Sequence, residues 1–279
     1  MIPIAVSAPK ELQPGERRHS LQTLERGLGV IQVFSRDRPA LTLSEVAQLT
    51  GITRASARRI LLTLQELGHV RSDGRIFSPT PRLLSLGWAY LSSLNLTQMA
   101  GMLMEELSDK TNEACAAATL DLPDVVYVAR VPTKRLMSIN LDIGSRVPAI
   151  HSSMGRVLLA DLPRDVVDAF VRGRTLVPWT EHTLVSHDAI IAEVDRAREQ
   201  GWAIVDQELE IGLRSIAAPV RRADGRAIAA INLSVVASRA GERDLRTKML
   251  PHLLETAEAV STAITRQNTS RLENPFSHS

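Results

Sequence analysis

The stretch TLSEVAQLTGITRASARRILLTLQELGHV, residues 42–70, decides the amino-terminal fold. Thr42 and Glu45 form a T-x-x-E capping box, in which a hydroxyl and a carboxylate satisfy orphan N–H groups at a helix start. Leu43, Val46, Ala47 and Leu49 supply the buried side of that helix, and Gly51 frees the backbone for a turn. Thr53 caps a second helix whose Ala57, Ile60, Leu61, Leu64 and Leu67 keep the i, i+3, i+4, i+7 rhythm of one buried stripe. At about 100° per residue, Ala55, Arg58 and Arg59 fall opposite that stripe, Arg54 lies at its margin, and Leu62 also lands outward. Two helices joined by a short Gly-containing turn are a helix-turn-helix, whose second helix enters the major groove of DNA. The residue types suit that use. Arginine reads guanine edges bidentately and also pairs with phosphate, Ser56 contacts either, and Ala55 admits close approach or meets a thymine methyl. Thr42, Ser44 and Thr53 add hydroxyls to the candidate DNA face.

Outward from this core, HVRSDGRIFSP (69–79) is two β-prone runs around Asp73-Gly74, a dipeptide that favours tight hairpin turns. Arg71 and Arg75 flank the turn, so the hairpin reads as a wing gripping backbone phosphates. An isolated basic helix face is usually only solvated. Here the capping box, Gly turn, apolar stripe and hairpin coincide, which favours DNA contact. Residues 1–19, with three prolines, read as a flexible tail, and residues 20–79 as a winged helix-turn-helix domain. Thr80-Pro81 supplies an N-cap and a proline at the first helical position for a linker helix over 80–95. Leu83, Leu84, Leu86, Trp88, Tyr90 and Leu91 give that helix an apolar surface, where a homodimer contact is expected.

Past Leu94 the pattern alternates between helices and strands, an α+β effector-binding domain over 96–268, with a second flexible tail at 269–279. Helices are predicted near 97–111, 152–161, 163–172, 186–200 and 242–267, and strands near 114–121, 124–131, 135–141, 202–206, 214–221 and 226–236.

Charge separates the halves. Residues 1–95 carry 12 Lys/Arg against 7 Asp/Glu, and the other 184 carry 21 against 24, so +5 faces −3 and a polyanion partner belongs at the amino-terminal end. One cysteine, Cys115, offers no internal disulfide and too few thiols for a metal cluster, which fits a reducing cytoplasm. In the apolar run ACAAATL it reads as an inert core thiol. The opening stretch MIPIAVSAPKELQPGERRH shows no basic leader, and no apolar run is long enough to span a bilayer, so neither export nor membrane insertion is expected.

These segments resemble the IclR-type winged-helix transcriptional regulators over roughly residues 20–265. SLQTLERGLGVIQVF is similar to the family's first helix, TLSEVAQLTGITRASARRILLTLQELGHV to its helix-turn-helix, and GSRVPAIHSSMGRVLLADLP to its G-x-x-x-P…G-[KR]-x-x-LA segment. VDQELEIGLRSIAAPVRRADGRAIAAINLSVV is similar to its second effector-domain signature. TRASARRILLTL and TPRLLSLGWAYLSS most resemble the branch controlling protocatechuate, hydroxybenzoate and β-ketoadipate catabolism.

The resemblance implies a GAF-like carboxy-terminal domain that binds a small carboxylic acid, an aromatic acid or one of the β-ketoadipate class. One recognition helix reads only a few base pairs, so a homodimer, or a dimer of dimers, is expected on a double-stranded DNA operator. HSSMGRVLLA reads independently as a helix start capped by Ser152 or Ser153, whose free N–H groups suit a carboxylate. Matched to the family's motifs, Ser153, Met154 and Gly155 form the ligand-contacting loop and Leu136 and Val147 apolar walls. Leu213, Ser215, Asn232 and Ser234 are wall and polar floor, and Asp206 falls beside the acidic position. Ser153 and Met154 stand where the glyoxylate-type loop has smaller residues, and Asn232 where a serine is more usual. Arg130, Arg135, Arg146 and Arg156 lie near the expected mouth, each able to meet a carboxylate bidentately.

Two other classes compete. A ligand sensor whose winged helix contacts a protein shares every motif above, and salt-dependent binding of duplex DNA separates the two. A hydrolase using His151 and Ser152 needs an oriented triad, and the chain has no G-x-S-x-G elbow, H-E-x-x-H helix or Walker loop. His182 and His187 are badly spaced to share a metal on one helix. No catalytic residue, cofactor or metal is expected.

Overall fold

The computed structural model describes residues 21–35, 37–94, 96–132 and 141–273. The chain divides into two compact units at Ser93/Leu94. The tail expected at 1–19 lies outside the described residues.

In the first unit, α1 (Gln22–Gln32) is followed by β1 (Leu41–Thr42), α2 (Leu43–Thr50), α3 (Arg54–Glu66), β2 (Val70–Ser72) and β3 (Ile76–Pro79). β1, β3 and β2 form an antiparallel sheet in that order, so the expected hairpin gains a third, two-residue strand whose Leu41 sits opposite Phe77. Val30, Leu41, Val46, Ala57, Leu61, Leu64, Val70 and Phe77 make the core. Leu49 and Leu67, expected in the buried stripes, are 43% and 54% exposed because Leu49 lies in the last turn of α2 and Leu67 follows the end of α3, both past the packed segments. Leu62 points outward as the spacing requires. The helix α4 (Leu83–Leu94) begins two residues later than Thr80-Pro81 implies: Thr80 accepts from the Arg82 N–H in a turn that leads into it.

In the second unit α5 (Leu96–Thr111) precedes the strands β4 (Ala114–Asp121), β5 (Asp124–Val131) and β6 (Arg146–Pro148). A 3-10 turn over Ala149–His151 runs into α6 (Ser153–Leu159), followed by α7 (Arg164–Arg172) and α8 (His187–Gln200). The strands β7 (Ala203–Asp206), β8 (Leu213–Arg221) and β9 (Ala227–Val236) follow, and then a one-turn helix α9 (Glu242–Asp244). A π-helical segment over Leu245–Met249 joins α9 to α10 (Leu250–Glu273), which carries helix into the region expected to be a tail. Of the strand expected at 135–141, residues 135–140 lie outside the described residues, and among the described strands β6 is at that edge.

The described strands form a six-stranded antiparallel sheet ordered β6-β5-β4-β9-β8-β7. Strand alternation gives it two faces. Ala116, Ala118, Tyr127, Ala217 and Ala230 pack with α6, α7 and α8, while α5 and α10 cover the other face. The small side chains of Ala114, Ala116 and Ala118 let α6 approach β4 closely. That face carries the cavity.

Candidate DNA interface and effector site

The Thr42 hydroxyl accepts from the Glu45 N–H at 3.4 Å and donates to Glu45 Oε2 at 2.7 Å, so both functions of that hydroxyl work inside the capping box. Gly51 closes α2 at φ +68°, a left-handed conformation that disfavours any Cβ, and thereby sets the turn. Thr53 accepts from the Ser56 N–H at 3.2 Å, which leaves its own O–H available. Ser44, Arg54, Ala55, Arg58 and Arg59 are exposed, and Ser56 is half-buried. Among the described residues no acid pairs with Arg54, Arg58 or Arg59, so their guanidinium groups remain available to an external anion. In the wing, Gly74 adopts φ +97° and Asp73 accepts from the Arg75 and Ile76 N–H groups at 2.9 and 2.8 Å. Those bonds hold its carboxyl below the usual carboxylate range and leave Arg75 exposed at the tip.

In the second unit a cavity of about 70 Å³ lies between the sheet and the start of α6. A water takes roughly 10–15 Å³ on such a measure, so this space suits a small organic molecule. Its floor follows from strand register. One row across the sheet runs Arg130, Ala116, Asn232, Ala217, and the next runs Ala114, Ser234, Ser215, Val205. Ser153 reaches down from α6 and donates to Ser215 Oγ at 2.9 Å, and Asn232 donates through Nδ2 to Ser234 Oγ at 3.2 Å. The other end of that amide, Oδ1, is buried without a partner. Simple alternation would put Tyr127 and Ala129 on one face of β5. An extra residue, Val128, breaks the register between Ala117 and Ala118, and Arg130 thereby joins Tyr127 on the cavity face.

Val147, Ser153, Met154, Leu213, Ser215, Asn232 and Ser234 line this cavity. Leu136 and Arg135 lie outside the described residues. Three expected contacts are placed elsewhere. Arg146 turns away to Asp121 and Asp124, at 2.7 and 3.0 Å, and those carboxylates outweigh its burial and hold it firmly charged. Gly155 is a packing residue, because a Cβ there would lie 2.0 Å from the Ala149 carbonyl oxygen, and its N–H is taken by Ser152 Oγ at 2.9 Å. Asp206 pairs with Arg214 at 2.7 Å and is not among the lining residues.

The acid at the cavity is Glu208, aimed inward by a turn in which Gln207 takes φ +58°. DQELEIG offers acids at 206, 208 and 210, and only the turn selects among them. Tyr127, Leu141, Leu209 and Glu208 are lining residues that sequence reasoning missed. Burial pushes the Tyr127 hydroxyl up to about 12 and drives the Cys115 thiol well above its ordinary range, so both are neutral. The hydrolase arrangement is not assembled: His151 Nδ1 faces Glu208 at 3.0 Å, while Ser152 Oγ caps α6. Among the described residues no group of His, Cys, Asp and Glu is placed to hold a metal, and no helix is long and apolar enough to cross a membrane.

Comparison with known proteins gives the family. The IclR helix-turn-helix domain matches residues 23–74, and the bacterial transcriptional regulator IclR C-terminal domain matches residues 88–262. The chain is 41% identical to the Pca regulon regulatory protein of Pseudomonas putida over 90% of its length and 87% of the relative's. A transcriptional regulator from Rhodococcus sp. RHA1, of known structure, is 45% identical, with TM-score 0.78 over 88% of this chain and 98% of that one. The inducer-binding domain of the Acinetobacter transcription factor PobR, solved as a double mutant with 3-hydroxybenzoic acid, is 28% identical, with TM-score 0.55 over 58% of this chain and 95% of that one. With both of its domains matched and its exposed arginines on the second helix of the helix-turn-helix, the chain belongs to the IclR family of bacterial transcriptional regulators.

Proposed function

We propose that this chain is a cytoplasmic regulator whose operator binding or activity responds to a small carboxylic acid, of the hydroxybenzoate and protocatechuate class or the β-ketoadipate class, held in the cavity under α6. In this reading residues 20–79 read DNA through Arg54, Ala55, Ser56, Arg58, Arg59 and Arg75, helped by Ser44 and Thr53, and residues 96–268 sense the acid. The observation that carries it is the cavity floor. Asn232 is 3% exposed, stands between Ala116 and Ala217, and keeps one amide end unpartnered. A buried acceptor left unpaired is costly, and a ligand that brings a hydroxyl donor, as the phenol of a hydroxybenzoate does, relieves that cost where a carboxylate oxygen does not. The relatives' names point to the same chemistry: a Pca regulon in one, an inducer-binding domain holding 3-hydroxybenzoic acid in another. Leu84 and Trp88 on α4, 75% and 61% exposed, supply an apolar face for a second copy, and two recognition helices double the contact with a pseudo-palindromic site.

The test is Met154→Trp. Met154 is 1% exposed and lines the cavity, so a larger side chain fills the space the acid needs. Provided circular dichroism matches the parent, the variant should still bind operator DNA while losing the fluorescence response of Trp179 and Trp202 to 4-hydroxybenzoate, protocatechuate and β-ketoadipate. An undiminished response places the effector elsewhere.

A further inference from the structure

Three side chains from separate parts of the second unit form one buried chain behind the cavity. Arg156 on α6, Glu208 in the turn after β7 and His151 in the 3-10 turn are 2%, 4% and 2% exposed. Glu208 meets Arg156 through Oε1 at 2.6 Å and His151 Nδ1 through Oε2 at 3.0 Å. Arg156 is also fixed by donating through Nε to the Ile150 carbonyl at 3.1 Å, and the Thr183 hydroxyl donates to the Glu208 carbonyl at 2.6 Å. His151 and Glu208 both line the cavity.

We propose that His151 answers the charge of the effector: its Nε2 contacts the bound carboxylate, and one proton is taken up on the ring as the acid enters. This rests on the effector-site reading above. A carboxylate only accepts hydrogen bonds, so the bond to Glu208 fixes the hydrogen on Nδ1 and leaves Nε2 as the ring's variable atom. Among the described residues nothing bonds to Nε2. In the neutral ring that atom carries a lone pair, which cannot face a carboxylate. A proton drawn from buffer forms an Nε2–H bond, and the buffer acid loses its own.

Charge matching explains why the ring takes this role. Every other described ionisable group lining the cavity is matched or neutral: Glu208 by Arg156 behind it, Arg130 on β5 by Asp142 at 3.3 Å, with Tyr127 on β5 and Cys115 on β4 both uncharged. An anion entering this balanced, buried space is strongly disfavoured unless a positive charge arrives with it. A proton on His151 supplies that charge at the cavity wall. Arg130 is the competing partner, since Asp142 is 54% exposed and could exchange with the ligand.

Calorimetric titration of the full chain with 4-hydroxybenzoate, in phosphate and in Tris at matched pH from roughly 6 to 8.5, counts the protons directly. The expected result is uptake approaching one proton per site as the pH rises, with affinity falling about tenfold per pH unit at the alkaline end. His151→Asn keeps an amide where Nδ1 stood, able to donate to Glu208. It should bind more weakly and show neither uptake nor slope. Wild-type binding without uptake anywhere in the range overturns the inference whatever the variant does. The same result with loss of binding in Arg130→Gln assigns the carboxylate to Arg130. Failure of the wild type to bind 4-hydroxybenzoate, protocatechuate or β-ketoadipate at all removes the effector-site reading and this inference together.

Discussion

The arginines of α3 and the one buried behind the cavity use one side chain in opposite ways. Arg58 and Arg59 stand exposed and unmatched by any acid among the described residues, whereas Arg156 is 2% exposed and ion-paired. A polyanion is met at the surface, where fixed positive charge attracts from a distance and releases counterions on contact. Under the proposal above, a small acid would be met inside the second unit, where burial makes unmatched charge costly; the arginine behind the cavity is already ion-paired there, so recognition would fall to hydroxyls, an amide and an imidazole. Charge held ready marks one site, and charge already balanced marks the other.

The contrast is sharpest in how much change each region tolerates. A Cβ on Gly155 would lie 2.0 Å from the Ala149 carbonyl oxygen, while a Cβ on Gly51 meets nothing within 4 Å and bears only the strain of φ +68°. Gly155→Ala should therefore destabilise the second unit by more than about 3 kcal/mol, and Gly51→Ala the first by about 1 kcal/mol. Urea unfolding followed by Trp179 and Trp202 emission reads the first, and amide exchange along α2 and α3 reads the second. Comparable losses at the two glycines would mean that the start of α6 is not packed as described.

On the open side, Arg58→Ala and Arg59→Ala should each weaken operator binding. An arginine that reads a base costs about 1–3 kcal/mol and relaxes preference at one position, while one on phosphate weakens all sequences alike and lowers the salt slope by about 1. Binding titrations on operator and unrelated duplexes at several salt concentrations separate the roles. If both variants follow the parent throughout, α3 is not the recognition helix.

The same contrast governs what could be read from sequence. The capping box, Gly51 and the stripe through Ala57, Leu61 and Leu64 are local signals, and local hydrogen bonding and helical spacing suffice to place Arg58 and Arg59 outward. The cavity is built from long-range register. Asn232 lies beside Ala116 and Ala217 only because β9 pairs with β4 on one side and β8 on the other. Arg130 reaches the cavity only because of the extra residue Val128, which alternation in DVVYVARV does not reveal. The family motifs carried Ser153, Ser215 and Asn232 to the cavity across that gap. They misplaced Arg146 and Asp206: Arg146 on β6 is held by Asp124 on β5 and Asp121 at the end of β4, and Asp206 on β7 by Arg214 on β8.

The smallest expected effect comes from acid. Glu45 is held below the usual carboxylate range first by the Thr42 N–H at 2.7 Å and then by the Thr42 hydroxyl, and it is fully exposed to solvent. A carboxyl depressed in the folded state contributes stability that is present above its unfolded value and lost as pH falls through the folded one, so α2 should loosen only at the acid end, from about pH 5 downward. Asp73, depressed by the Ile76 and Arg75 N–H groups, adds a loosening of the wing in the same direction. Glu45→Gln keeps an oxygen that can accept from the Thr42 N–H but does not titrate. It should leave the α2 amides slightly less protected at neutral pH, through loss of a negative charge at a helix start, and with a flatter dependence on acid. Amide exchange along α2 between about pH 7 and pH 4 measures both, after correction for the intrinsic rate. Parallel curves for parent and variant would show that the capping carboxylate carries no pH-dependent share of the helix, and that the exposed region is as insensitive to its own acids as it is open to an external one.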